Sequence, residues 1–163
     1  AHFDAEVAAA DRLVADLLAV LPPGAVLIVT SDHGQVHVDD DLITPDPSVL
    51  SHVDLQSGEG RFRWLHARPG RAGGLFDAAS EHHTDRAWVV TLEQVIDEGW
   101  FGPIVTDDAR ARLGDVALVA RDTAAFVDPA DGGLFRLVAR HGSLTADEMY
   151  VPLLAATRDS ARL

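Results

Sequence analysis

Apolar residues early in the chain recur at Val7, Ala10, Val14, Leu17, Leu18 and Leu21, with Asp4, Glu6, Asp11, Arg12 and Asp16 between them. Steps of three and four put one stripe on one face, so the spacing predicts an amphipathic helix over residues 4–21. Pro22-Pro23-Gly24 ends it, because proline cannot extend the helical ladder and glycine allows a tight turn. Ala25-Val26-Leu27-Ile28-Val29 then runs without a polar break, the pattern of a buried strand. Residues 35–57 carry Asp39-Asp40-Asp41, Pro45 and Pro47, and predict an excursion away from the sheet.

From residue 58 the period changes repeatedly over short distances. Arg61-Phe62-Arg63-Trp64-Leu65-His66 alternates as a half-exposed strand should, residues 72–83 predict a helix, and Trp88-Val89-Val90 predicts a strand. Thr91 followed three residues later by Gln94 has the form of a capping box and opens a short helix through Asp97. Residues 107–113 predict another helix, stopped by Gly114, and strands follow over 116–120, 124–127, 135–138 and 151–156. The order helix, turn, buried strand, loop implies an α/β fold with a mostly parallel sheet sandwiched by helices. The small alternating units suggest an α+β insert at 58–113, which would divide a core formed by 1–57 and 114–163.

A chain of 163 residues, 47% of them hydrophobic, has one-domain length and can bury a core. No apolar stretch approaches the roughly 20 residues that span a bilayer, and the N-terminal residues show no basic segment leading into an apolar run. A cytoplasmic protein without membrane contact is therefore expected. With no cysteine, disulfides and thiolate metal sites are excluded, leaving His, Asp and Glu as ligands. A net charge of −13 disfavours nucleic-acid scaffolds and anionic membranes as partners, and an anionic substrate would need bound cations to enter. All 13 basic residues are Arg, which excludes lysine Schiff-base and P-loop chemistry; with abundant Ala and Val it resembles the product of a GC-rich bacterial gene.

Two loops carry candidate chemistry. Thr30-Ser31-Asp32-His33-Gly34 follows the apolar run directly, so a carboxylate and an imidazole stand at the C-terminal tip of a strand, with a glycine to let the backbone turn. That is a donor pair for zinc or another divalent metal; an ordinary Asx-type turn with His33 on the surface fits the same residues. The second loop is Arg140-His141-Gly142-Ser143-Leu144-Thr145, ahead of a Thr-x-x-Glu cap from Thr145 to Glu148. Alone, His141 is more naturally structural. Paired with the earlier His-Gly loop, it becomes a candidate ligand.

The Thr-Ser-Asp-His-Gly motif behind a hydrophobic strand, with the late segment from His141 to Ala156, resembles the C-terminal part of an alkaline phosphatase superfamily enzyme, most closely the type I phosphodiesterase and nucleotide pyrophosphatase branch. The resemblance implies two divalent metal ions, zinc or manganese, above a parallel sheet. Asp32 and His33 would bind one ion and His141 the other. It also implies a Thr or Ser nucleophile and further ligands from an N-terminal half, so the chain is expected to be a partial domain whose nucleophile lies upstream. His2 falls near a family ligand position, but Ala5 replaces the glycine expected after it, so His2 is taken as lying downstream of the true ligand. The implied activity is hydrolysis of phosphodiester or nucleotide pyrophosphate bonds in a small phosphate-ester or nucleotide substrate, a two-metal clamp stabilising the phosphoryl group. Phosphomonoesterase, sulfatase and phosphomutase chemistry share such loops, and a non-catalytic binding module is the alternative from another class.

Other chemistry-bearing residues have structural readings. His82-His83 sits at a predicted helix end, where imidazoles meet terminal carbonyls. Asp39-Asp40-Asp41 lacks the alternation of a calcium loop and reads as solvated. His37 and His66 belong to no ligand spacing, though His37 is close enough in sequence to the metal loop to touch substrate. Trp64, Trp88, Trp100 and Phe101 are expected to pack the insert, with an exposed lip at 100–103 as the alternative.

Overall fold

The structure, a computed structural model, describes residues 2–132 and 137–158. In chain order its first elements are α1 (His2–Val20), β1 (Val26–Thr30), β2 (Val36–His37), β3 (Leu42–Ile43), α2 (Pro47–Leu50), β4 (Val53–Glu59), β5 (Phe62–Ala67) and α3 (Ala72–His83). They are followed by β6 (Ala87–Thr91), α4 (Leu92–Asp97), α5 (Asp107–Arg110), β7 (Val116–Ala120), β8 (Ala125–Phe126), β9 (Ala139–Arg140), α6 (Ala146–Met149) and β10 (Leu153–Thr157). The chain divides into two compact units, residues 1–32 with 151–163, and residues 33–150. Among the described residues no helix is long and apolar enough to cross a membrane.

In the first unit, β1 pairs with β10 in antiparallel register, Val26 opposite Thr157 and Thr30 opposite Leu153. Leu27 and Val29 share a cleft with Val7, Ala10 and Val14 of α1, the helical stripe expected from the sequence. The alternate residues do not go inside: Val26 is 58% and Ile28 61% exposed, so the expectation of a buried strand is corrected. An apolar run states that both faces can be buried; burial itself needs a layer on each face, and this unit supplies one helix and one partner strand.

The second unit is built on a four-stranded sheet in the order β4-β5-β7-β6, antiparallel throughout. Every residue of β7 is buried, and its side chains divide by alternation. Val116, Leu118 and Ala120 join Leu65, Leu75, Ala79 and Phe126 in one core under α3, while Ala117 and Val119 join Trp64 and Val95 in another under α4. The helix at 72–83, the strand around Trp88 and the capping box at Thr91 form as expected. The helix expected over 107–113 ends earlier, at Arg110. The segment 58–113 shares its sheet with β4 and β7 at its two flanks.

Helices and strands mix as an α/β chain predicts, but the described strands pair mostly antiparallel; only β3 and β8 run parallel, Leu42 beside Ala125 and Ile43 beside Phe126. Apolar runs report burial, not strand direction, which the connections decide. The expected excursion over 35–57 instead holds three strands and α2, capped by Asp46, whose carboxylate accepts from Ser48 N at 2.8 Å. The strand expected over 135–138 falls partly outside the described residues.

Candidate functional site

The two His-Gly loops meet through a strand pair. Val36 of β2 lies opposite Arg140 of β9 in an antiparallel register, so the residues before Val36 and those after Arg140 emerge at the same end. There the rings of His33 and His141 stack, centroids 3.8 Å apart and planes 14° from parallel. Both histidines are half-buried. His33 Nδ1 lies 2.9 Å from the carbonyl oxygen of Gly34; because a carbonyl only accepts, Nδ1 is the donor, and in the neutral ring this tautomer leaves the lone pair on Nε2. A backbone carbonyl on one ring nitrogen is the arrangement that prepares the other for a metal.

Glycine is required next to His33. A Cβ on Gly34 would stand 1.9 Å from the carbonyl oxygen of Asp147, and Gly34 N donates to the carbonyl of Glu148 at 2.8 Å. Gly142, beside His141, adopts a φ of +115° that a side chain would resist.

Glu148 is the hub of this region. It is 3% exposed and accepts from Arg61 through both oxygens, Nε to Oε1 and Nη2 to Oε2 at 2.7 Å each. Ser143 N donates to Oε1 at 2.9 Å, and the Thr145 hydroxyl donates to Oε2. Arg61 is wholly buried and spends its remaining Nη1 on the carbonyl of Ala124 at 2.6 Å. Burial would raise the Glu148 pKa, but the bonds from Arg61, Thr145 and Ser143 outweigh it and hold the carboxyl below its ordinary value. The Thr-x-x-Glu sequence therefore does not make the expected cap: Thr145 caps no backbone N–H, and Glu148 turns inward to a guanidinium.

Asp32 ends the first unit and is exposed; its Oδ1 accepts from Ser31 Oγ at 3.4 Å. His2 is an exposed residue in the first turn of α1. Carboxylate oxygen and imidazole nitrogen are the donor types a divalent transition metal takes, so the chemistry of Asp32, His33 and His141 fits such an ion. Their number does not close a site: among the described residues no group of three His, Cys, Asp or Glu is placed to hold a metal ion.

The model of the type I phosphodiesterase / nucleotide pyrophosphatase family matches residues 2–144. The chain belongs to that family. Its fold resembles murine ectonucleotide pyrophosphatase / phosphodiesterase 5, with a TM-score of 0.63 at 20% identity over 83% of this chain and 34% of the murine one. An inactive variant of the murine protein, in complex with AMP, matches with the same TM-score, identity and coverage. Phosphonoacetate hydrolase from Sinorhizobium meliloti, in complex with phosphonoformate, matches with a TM-score of 0.55 at 20% identity, over 81% of this chain and 36% of the hydrolase. The chain thus spans about a third of the length of these structures. Among curated proteins none matches at a significant level.

In this phosphodiesterase-family chain the structural histidines and acids have specific partners. His83 does end α3, but it is buried; its Nε2 accepts from Asp46 N at 3.1 Å and its ring meets Phe126 edge-on at 5.3 Å. Asp41 is not a solvated acid: both its oxygens accept from Arg86, and the Thr123 hydroxyl donates to it at 2.6 Å. His66 bonds Ser57 at 2.8 Å, and His37 is exposed on β2. Trp64 packs in the core, Trp100 lies edge-on to Phe62, and Trp88 carries the Arg121 guanidinium 5.0 Å above its ring. Sequence patterns missed Arg61 and Glu148. Arg61 opened an apparently half-exposed strand, and a buried ion pair between distant residues has no period to betray it.

Proposed function

We propose that this chain supplies part of the catalytic domain of a metal-dependent phosphodiesterase or nucleotide pyrophosphatase. The face-to-face approach of His33 and His141 carries the proposal, because it brings the family's two candidate ligand loops to one place. In this assignment Asp32 and His33 ligate one divalent ion, zinc or manganese, and His141 ligates a second. Bound ions would neutralise charge on the phosphoryl group. The chain's own work is positional: Gly34 and Gly142 let the loops approach, the Gly34 carbonyl fixes the His33 tautomer, and Glu148 with Arg61 anchors both loops.

The AMP complex of the murine relative supports a nucleotide as the substrate class. The nucleophile and the remaining ligands belong to parts of the domain outside this chain, consistent with coverage of 34% of the murine structure. The test uses a polypeptide spanning the whole domain. Asp32→Ala and His141→Ala should each lower bound metal, measured by elemental analysis, and remove most hydrolysis of a nitrophenyl phosphodiester. Unchanged metal content together with unchanged hydrolysis in both variants overturns the assignment.

A further inference from the structure

Ser143 follows His141 by two residues and lies in the loop between β9 and α6, yet it is only 3% exposed. Burying a hydroxyl is costly unless it is bonded, so its partners show what the burial achieves. Ser143 Oγ donates to the carbonyl of Ala120, the last residue of β7, and Ser143 N donates to Glu148 Oε1 at 2.9 Å. β7 is buried along its whole length and is paired on both sides, by β5 and by β6. The loop that carries His141 is therefore tied through one serine hydroxyl to an interior strand.

This tie closes one end of a short span. At the other end Arg140, the residue before His141, is held opposite Val36 by the β2–β9 pairing. Between the two, Gly142 lies against β4 and β5: a Cβ there would stand 3.6 Å from that of Glu59 and 3.7 Å from that of Phe62. His141 thus has little backbone freedom left. His33 is held in the same manner, by Gly34 N on the Glu148 carbonyl and by Val36 in its register, and the two rings come to rest 3.8 Å apart. Removing Glu148 would strand the Arg61 charge and disturb the whole unit. The Ser143 hydroxyl carries no charge, so its loss leaves that ion pair in place and loosens the loop. Loss of a group that orients a metal ligand without touching the ion costs about 10–100-fold in metal affinity.

We propose that Ser143 is a positioning residue for the metal site: its hydroxyl, through the Ala120 carbonyl, holds His141 against His33. This role rests on the assignment of His141 as a ligand, and the experiment separates the two. Zinc is titrated against a competing chelator into metal-free polypeptide spanning the whole domain, as wild type, Ser143→Ala, Ser143→Thr, Thr91→Ala and His141→Ala. The ring-proton NMR signals of His33 and His141 are recorded before zinc is added. Ser143→Ala should keep a cooperative urea transition, bind zinc about tenfold or more weakly, and shift the ring signals as the stacked rings separate. Ser143→Thr, which keeps the hydroxyl, should recover part of the affinity. Thr91→Ala, destabilised at a distant helix cap, should leave zinc affinity and ring signals unchanged. The role is overturned if Ser143→Ala binds zinc as wild type does, if its ring signals stay in place, or if Thr91→Ala weakens zinc as much. Unchanged zinc binding in His141→Ala overturns the ligand assignment itself, and the role of Ser143 with it.

Discussion

Arg61 and Glu148, 87 residues apart in the chain, meet as a bidentate ion pair with both side chains essentially out of solvent. The pair joins the sheet at the start of β5 to the loop that carries His141, because Glu148 also receives Ser143 N and its own carbonyl receives Gly34 N. Removing one partner strands the other charge in a buried site. Glu148→Ala should therefore destabilise the fold by about 3–5 kcal/mol, read from the urea midpoint. Glu148→Gln, which keeps acceptor and shape, should cost less; equal midpoints for wild type and Glu148→Ala would refute the role of the pair.

Acid should act in two stages. Burial holds the His83 pKa below its ordinary 6.5, and Asp46 N needs its neutral Nε2 as acceptor. Because the unfolded chain takes up this proton first, the stability His83 contributes is full above pH 6.5 and is lost as pH falls through the lower folded value. Glu148 and Asp41, also held low, add a second loss below their ordinary 4.5 and 3.8. Urea midpoints measured against pH should show the first stage flattened in His83→Gln and the second retained.

Gly34→Ala should displace the His33 loop from the Asp147–Glu148 backbone, since its Cβ overlaps a carbonyl oxygen. Overpacking of this kind costs about 1–3 kcal/mol. Metal content of the whole-domain enzyme should fall as well, which elemental analysis would detect. Gly73→Ala, within α3 and with open space around its Cβ, serves as the control: it should leave metal content unchanged and raise stability by up to about 1 kcal/mol.

Thr91 caps α4 through a complete capping box, its hydroxyl accepting from Gln94 N and Gln94 Oε1 accepting from Thr91 N. Thr91→Ala should lower stability by about 1 kcal/mol, and Thr91→Ser should restore most of it. A thermal melt of the three proteins decides this.

The elements most legible in the sequence were those set by neighbours in the chain. The stripe of α1, the boundaries of α3, the box at Thr91 and the strand β7 all follow from spacing, because helix and strand periodicity are local properties. The pair of His-Gly loops was legible as candidate chemistry for the same reason, since each motif is a few residues long.

Only the tertiary structure decided who meets whom. The β2–β9 register brought His33 to His141, a contact across more than a hundred positions that no period encodes. Strand direction, the exposed face of β1 and the inward turn of Glu148 were likewise set by layers and partners, not by spacing. Spacing along a chain fixes which residues share a face; the free energy of burying a charge or closing a sheet depends on the group placed opposite, and that group is chosen by the fold.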